Sequence, residues 1–89
     1  MPTSGFTHHL TSANSLPACA AATDALINAY VAWREACARV RIAYERWDVC
    51  EPLDRDLTFA AYLAALECED HAADIYARRV EHVTAWLAG

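Results

Sequence analysis

The sequence contains no lysine and very little glycine or proline. Its seven basic residues are all arginine, and from Ala18 to Ala88 there is no glycine and one proline, Pro52. Glycine and proline are the two residues that most disfavour a helix interior, so long uninterrupted helices are possible here. The composition predicts an all-α chain with one interruption.

Other absences bear on function and location. The net charge of −5 argues against binding to nucleic acid or to an anionic membrane, because both require a basic surface. No apolar run approaches the roughly 20 residues of a membrane span. The N-terminal segment lacks the basic start and apolar stretch of a signal peptide. These features predict a cytoplasmic protein whose four cysteines are reduced.

The residues that are present predict a helical hairpin. Twenty alanines favour helix throughout. Residues 1–15 are rich in Ser, Thr, Asn and His and predict a flexible N-terminal arm. Residues 16–89 form the hairpin, with a first helix at about 17–50, a turn at 51–54 and a second helix at about 55–88. The short connection requires the two helices to fold back antiparallel.

Each helix carries an apolar stripe with a period of 3.5 residues. The frame Ala-Tyr-x-x-Trp occurs at 29–33 and again at 43–47, two heptads later, so both copies lie on one side of the first helix. The stripe of the first helix is Leu26, Tyr30, Trp33, Cys37, Val40, Tyr44 and Trp47. The stripe of the second helix is Phe59, Tyr62, Leu66, Glu69, Ala73, Tyr76, Val80, Val83 and Leu87, with Trp86 beside it.

One hairpin cannot bury apolar stripes of this width. Wide exposed apolar surfaces are typical of interaction sites. The simplest closure is a two-fold dimer of hairpins that forms a four-helix bundle. The sequence therefore predicts a homodimer whose core and interface contain the aromatic residues.

Charged residues predict contacts between the two helices. If the chain folds back about residues 53–54, positions whose numbers add to roughly 107 lie opposite one another. The ion pairs expected on this basis are Arg39–Asp70, Arg34–Asp74 and Arg41–Glu67. Glu69 interrupts an apolar stripe, so we expect it to be a buried polar residue with an arginine partner, in the same chain or across the dimer. The alternative is an acid that lines a pocket.

One segment, residues 67–71, is dense in metal-ligand types. The candidate ligands are Glu67, Cys68, His71 and Asp74. Side chains three or four residues apart share a helical face, but a metal site would need further ligands, for example Cys37 on the first helix. The Glu-x-x-His signature of di-iron bundles is absent, because Cys68 stands three residues before His71.

The function that this pattern favours is that of a non-enzymatic interaction or scaffold module that acts as a homodimer, with another protein as a second expected partner. The same pattern predicts that the protein has no cofactor and binds neither nucleic acid nor a membrane. Two alternatives remain open. One is a metal- or ligand-binding bundle that uses the Glu67–His71 cluster. The other is an enzyme built on a Cys68–His71 thiolate–imidazole pair, although a loop-poor hairpin supplies neither pocket nor oxyanion donors readily.

Overall fold

The computed structural model describes the backbone of residues 2–88 and the side chains of residues 17–88. Helix α1 is Pro2–Val49, a 3-10 turn follows at Pro52–Asp54, and helix α2 is Arg55–Ala88. The two helices pack extensively against each other. The predicted all-α hairpin is therefore confirmed, and nearly every contact that shapes it joins α1 to α2.

The N-terminal part of α1 differs from the sequence-based boundary. The helix begins at Pro2 and contains Pro17, whereas the sequence places its start near residue 17. The hydroxyl of Thr23 donates a hydrogen bond to the carbonyl of Cys19, four residues earlier, at 3.0 Å. Thr23 therefore lies inside α1. The side chains of the predicted arm, residues 1–15, lie outside the described residues. The flexibility of this arm therefore stays a prediction.

The connection between the helices is short and internally bonded. Glu51 has extended backbone angles (φ −66°, ψ 151°), as the steric effect of a following proline requires. The amide of Asp54 donates to the carbonyl of Glu51 at 2.9 Å. The hydroxyl of Thr58 donates to the carbonyl of Asp54 at 2.9 Å and lies 3.1 Å from the Cys50 sulfur. These bonds fix the angle at which α2 leaves the turn.

Alanines form the centre of the contact between α1 and α2. Ala22, Ala29 and Ala36 are the only buried apolar residues in the part of the chain that the structure describes. They lie seven residues apart, so they follow one line along α1. Small side chains on this line let the two backbones approach, and the larger side chains Leu26, Trp33 and Val40 lie on one side of it. No large side chain is fully buried among the described residues, so one hairpin alone has almost no core.

Within the described residues, neither α1 nor α2 has a stretch that is both long enough and apolar enough to cross a bilayer.

Candidate functional site

The first copy of the Ala-Tyr-x-x-Trp frame forms a cluster of three rings with α2. Trp33 stacks on Tyr76, with ring centroids 5.5 Å apart and planes 6° from parallel. Tyr30 packs against both, at 6.2 Å from Trp33 and 5.6 Å from Tyr76. We call Tyr30, Trp33 and Tyr76 the outer cluster, because it lies farther from the turn.

The second copy of the frame forms the same arrangement one step closer to the turn. Trp47 stacks on Tyr62 at 6.0 Å and 3°, and Tyr44 lies 5.9 Å from Trp47 and 5.6 Å from Tyr62. We call Tyr44, Trp47 and Tyr62 the turn cluster. Phe59 adds a fourth ring, 5.3 Å from Trp47. The two central tyrosines of α2 are fourteen residues apart, like the frames on α1, so the repeat exists on both helices.

The two clusters differ in the polar group beside the tryptophan. Glu69 lies seven residues before Tyr76, and its Oε1 accepts a hydrogen bond from Trp33 Nε1 at 2.9 Å. Arg55 lies seven residues before Tyr62, and its guanidinium carbon is 4.9 Å from the centroid of the Trp47 ring. At corresponding positions, an acid therefore binds the edge of one indole and a cation lies over the face of the other.

The partner of Glu69 is not the arginine that the sequence suggests. The same carboxylate oxygen that binds Trp33 lies 3.8 Å from the Cys37 sulfur, and Glu69 is half-buried rather than buried. The arginines of α1 are exposed. An indole N–H is a neutral donor that the apolar seam can hold at little desolvation cost, which explains why tryptophan takes this place.

The expected ion pairs between the helices do not form among the described residues. The ion pairs in that part of the chain are Arg39–Glu35 at 4.0 Å and Arg78–Asp74 at 2.7 Å, both between residues four apart on one helix. Residue numbers that add to 107 give two side chains the same height along the hairpin. Equal height does not mean that two side chains lie on the same side of the hairpin, and these charged side chains lie on the outer flanks of the helices.

The remaining stripe residues divide by exposure. Those that are half-buried are Leu26, Trp33, Cys37, Val40, Trp47, Tyr62, Leu66, Ala73, Tyr76, Val83 and Trp86. Those that are exposed are Tyr30, Tyr44, Phe59, Val80 and Leu87. Trp86 contacts its own helix, because its Nε1 donates to His82 Nε2 at 3.3 Å.

The exposed stripe residues lie on one side of the hairpin. Tyr30 and Tyr44 occupy the heptad position next to the seam on α1, and Phe59 and Val80 occupy the equivalent position on α2. In an antiparallel pair these two positions flank the same side of the seam. We define this side as the aromatic face; its members at that heptad position are Tyr30, Cys37, Tyr44, Phe59, Leu66, Ala73, Val80 and Leu87.

The aromatic face leaves much apolar surface in water. Tyr30 is 44% exposed, Tyr44 is 46% exposed and Leu87 is 80% exposed. Covering the open part of one such tyrosine removes roughly 90 Å² from water, which is worth about 2 kcal/mol. The sequence pattern alone shows that the stripes are wide. It does not show that both stripes widen toward the same side, which follows from the antiparallel packing.

Charged residues border the aromatic face on both helices. On α1 the next heptad position outward holds Arg34, Arg41 and Asp48, and on α2 it holds Asp56 and Asp70. All five side chains are exposed, and none of them joins an ion pair with another described residue.

The candidate metal ligands do not converge. Glu67, Cys68, His71 and Asp74 are all exposed on α2, and Asp74 forms the ion pair with Arg78. Over the residues with described side chains, no group of three or more His, Cys, Asp or Glu residues is placed to hold a metal ion. Cys37 lies beside Glu69 instead of His71. Metal binding stays a prediction that elemental analysis of the purified protein can test.

A shallow open groove of about 430 Å³ lies near the turn, away from the candidate ligands. Its lining is Ala43, Arg46, Leu57, Thr58, Ala60 and Ala61. Neither Cys68 nor His71 lines this groove, so it does not supply the enclosed site that their pairing as nucleophile and base would need.

Comparison of the chain with protein-family models, with curated proteins and with solved structures finds no match.

Proposed function

We propose that this protein is a small non-enzymatic interaction or scaffold module that acts as a homodimer, with the aromatic face of each hairpin covered by the other. The observation that carries the proposal is the combination of an unpartnered aromatic face with a seam whose buried residues are all alanine. A hairpin of this kind gains most of its core only when a second layer of helices packs on it.

The size of the aromatic face supports a second copy of the chain as its partner. Helix α2 has 34 residues, which corresponds to about 50 Å at 1.5 Å per residue, and the hairpin is 15 Å across. The face therefore offers about 750 Å² per copy, close to the ~800 Å² per partner of a stable interface. A two-fold dimer uses the same surface on both copies, so one unpartnered face is sufficient.

The experiment compares substitutions on and off the aromatic face. Val80 is 38% exposed on the face, so Val80→Glu places a charge in the proposed interface. Ile42 is 46% exposed on the outer side of α1, so Ile42→Glu is the matched control. Light scattering at one protein concentration is expected to give a dimer for the wild type and for Ile42→Glu, and a monomer for Val80→Glu.

Circular dichroism should show that both variants remain helical. A dimer that survives Val80→Glu but not Ile42→Glu would place the contact on the outer side and contradict the proposal. A wild-type monomer would also contradict it, and would leave the aromatic face available for a different protein.

A further inference from the structure

The sizes of the side chains along the aromatic face specify how the second copy lies on it. This inference rests on the proposed homodimer and adds its geometry. Two copies can meet face to face around a two-fold axis in two ways. If the axis runs parallel to the helices, each α1 packs on the partner's α2 and the two turns lie at the same end. If the axis runs across the helices within the interface, each helix packs antiparallel on its own copy and the turns lie at opposite ends.

The height of each residue along the hairpin follows from the contacts between α1 and α2. Tyr30 contacts Tyr76, and Tyr44 contacts Tyr62. The residue numbers of both pairs add to 106. An α2 residue therefore lies at the height of the α1 residue that completes this sum, and heights convert to distances at about 1.5 Å per residue.

The aromatic face has one bulky layer and one narrow layer. Tyr44 and Phe59 lie within about 5 Å of each other in height, near the turn, and both are exposed. Cys37 and Ala73 are the smallest members of the face and lie about 16 Å farther from the turn. We call the first pair the large layer and the second pair the small layer. Leu66 lies between the two layers.

An axis parallel to the helices brings equal layers together. It keeps the two copies of every residue at the same height, so the two large layers meet as four aromatic rings. The two small layers meet about 16 Å away as four small side chains. Helices at one spacing cannot pack both, because the first meeting is overfilled and the second leaves a cavity, and both defects are destabilising.

We infer that the dimer axis runs across the helices at the height of Leu66, so that α1 packs on the partner's α1 and α2 on the partner's α2. On α2, Phe59 and Ala73 are each seven residues from Leu66, so Phe59 lies over the partner's Ala73. On α1, Tyr44 and Cys37 are centred within about 1 Å of the same height, so Tyr44 lies over the partner's Cys37. Both helices thus place a large side chain on a small one around a single axis, as interdigitated packing requires.

The same axis also covers an apolar side chain of the turn. Leu53 is 99% exposed, and Leu53 and Val80 lie about 14 residues from Leu66 on opposite sides. Leu53 therefore lies near the partner's Val80, at the end of an overlap about 40 Å long. With a hairpin 15 Å across, each copy buries about 600 Å². This area is at the lower limit of stable interfaces, so we expect a dimer that dissociates on dilution.

The charged residues beside the face do not decide between the axes. With the inferred axis, Arg34 lies near the partner's Asp48, whereas Arg41 lies near its own copy. The α2 acids Asp56 and Asp70 lie near uncharged residues of the partner. Exposed charge pairs contribute little, so the sizes of the apolar side chains decide the arrangement.

Spin labels on the outer side of α2 measure the axis directly. Ala64 and Ala85 are exposed, and both lie at the heptad position that faces away from the aromatic face. Ala64→Cys and Ala85→Cys are each made in a chain whose four native cysteines are replaced by alanine, which keeps the small layer small. Each cysteine is coupled to a nitroxide, and double electron–electron resonance measures the distance between the two labels of a dimer.

The inferred dimer predicts very different distances for the two labels. Ala64 is two residues from Leu66 and Ala85 is nineteen, so the labels should be about 25 Å apart for Ala64→Cys and about 60 Å apart for Ala85→Cys. An axis parallel to the helices keeps each label at the height of its copy, so the two distances would agree within about 5 Å. Equal distances in a dimer would overturn the inference.

A mixture of size variants tests the contact between Phe59 and the partner's Ala73. In the Ala73→Phe homodimer large meets large, and in the Phe59→Ala homodimer small meets small. The mixed dimer has one large and one small side chain at both contacts. Native mass spectrometry of an equimolar mixture should show mixed dimers well above one half, whereas isotope-labelled and unlabelled wild type should give one half as the control.

Mixed dimers at or below one half would overturn the inferred register. In that case, as with equal label distances, the wild type remains a dimer and the proposed function stands. A wild-type monomer is the separate result that removes the proposed function.

Discussion

The outer cluster and the turn cluster are the same three-ring unit with different polar partners. In each, a tryptophan of α1 stacks on a tyrosine of α2, and a tyrosine three residues before the tryptophan packs on both rings. The polar partner is an acid bonded to the indole edge in the outer cluster and a cation over the indole face in the turn cluster. The comparison teaches that ring geometry depends on the fourteen-residue spacing of both helices and not on the charge beside it.

The largest expected effect comes from removing either tryptophan. Trp33→Ala and Trp47→Ala each delete the ring that stacks on α2, and we expect each to lower the free energy of unfolding by about 3 kcal/mol. If the clusters are equivalent units, the two losses agree to within about 1 kcal/mol. Urea unfolding followed by circular dichroism measures both, at one fixed protein concentration because dimerisation adds to apparent stability.

A large loss for one tryptophan with a negligible loss for the other would show that the clusters are not equivalent. Trp33→Phe is the control for ring loss, since it keeps an aromatic ring opposite Tyr76 and removes only the indole edge. Its loss is expected to be smaller than that of Trp33→Ala.

The second largest expected effect comes from replacing Glu69, the acid of the outer cluster. Glu69→Ala leaves the Trp33 indole N–H without its acceptor, and we expect a loss of about 1 kcal/mol. Glu69→Gln retains an oxygen acceptor and should lose less. In NMR spectra, the indole N–H resonance of Trp33 should move in Glu69→Ala, and that of Trp47 should stay in place. Movement of the Trp47 resonance instead would contradict the assigned hydrogen bond.

The smallest expected effect comes from replacing Arg55, the cation of the turn cluster. Arg55→Ala removes the guanidinium over Trp47, and an exposed interaction of this kind contributes about 0.5–1 kcal/mol. Arg55→Met is the matched control, because it keeps an apolar side chain of similar length over the ring. A loss from Arg55→Ala as large as that from Trp47→Ala would mean that the cation, and not the ring stack, maintains the cluster.

The sequence predicts the hairpin because Pro52 is the only break between two helical segments with heptad stripes. It also places both Ala-Tyr-x-x-Trp frames on one side of α1. It does not predict the partner of Glu69, because spacing shows that a polar residue interrupts the seam but not which donor reaches it. The tryptophan side chain spans about one helical turn, so Trp33 reaches an acid that the simple register places opposite Cys37.

The ion pairs show a second limit of reasoning from spacing. Arg41 and Glu67 are at about the same height, as the fold-back arithmetic predicts, and yet Arg41 lies at the edge of the aromatic face and Glu67 lies on the outer side of α2. Height follows from residue numbers and the position of the turn, whereas side follows from the heptad position of each residue. A contact between the two helices is therefore predicted only where height and side both agree.

Sedimentation equilibrium of the wild-type protein over a wide dilution series tests most directly whether a second copy covers the aromatic face. The account predicts a mass of twice 9.8 kDa at high concentration and a fall toward the single-chain mass on dilution. A mass of 9.8 kDa at every concentration, from a protein that remains helical, would contradict it.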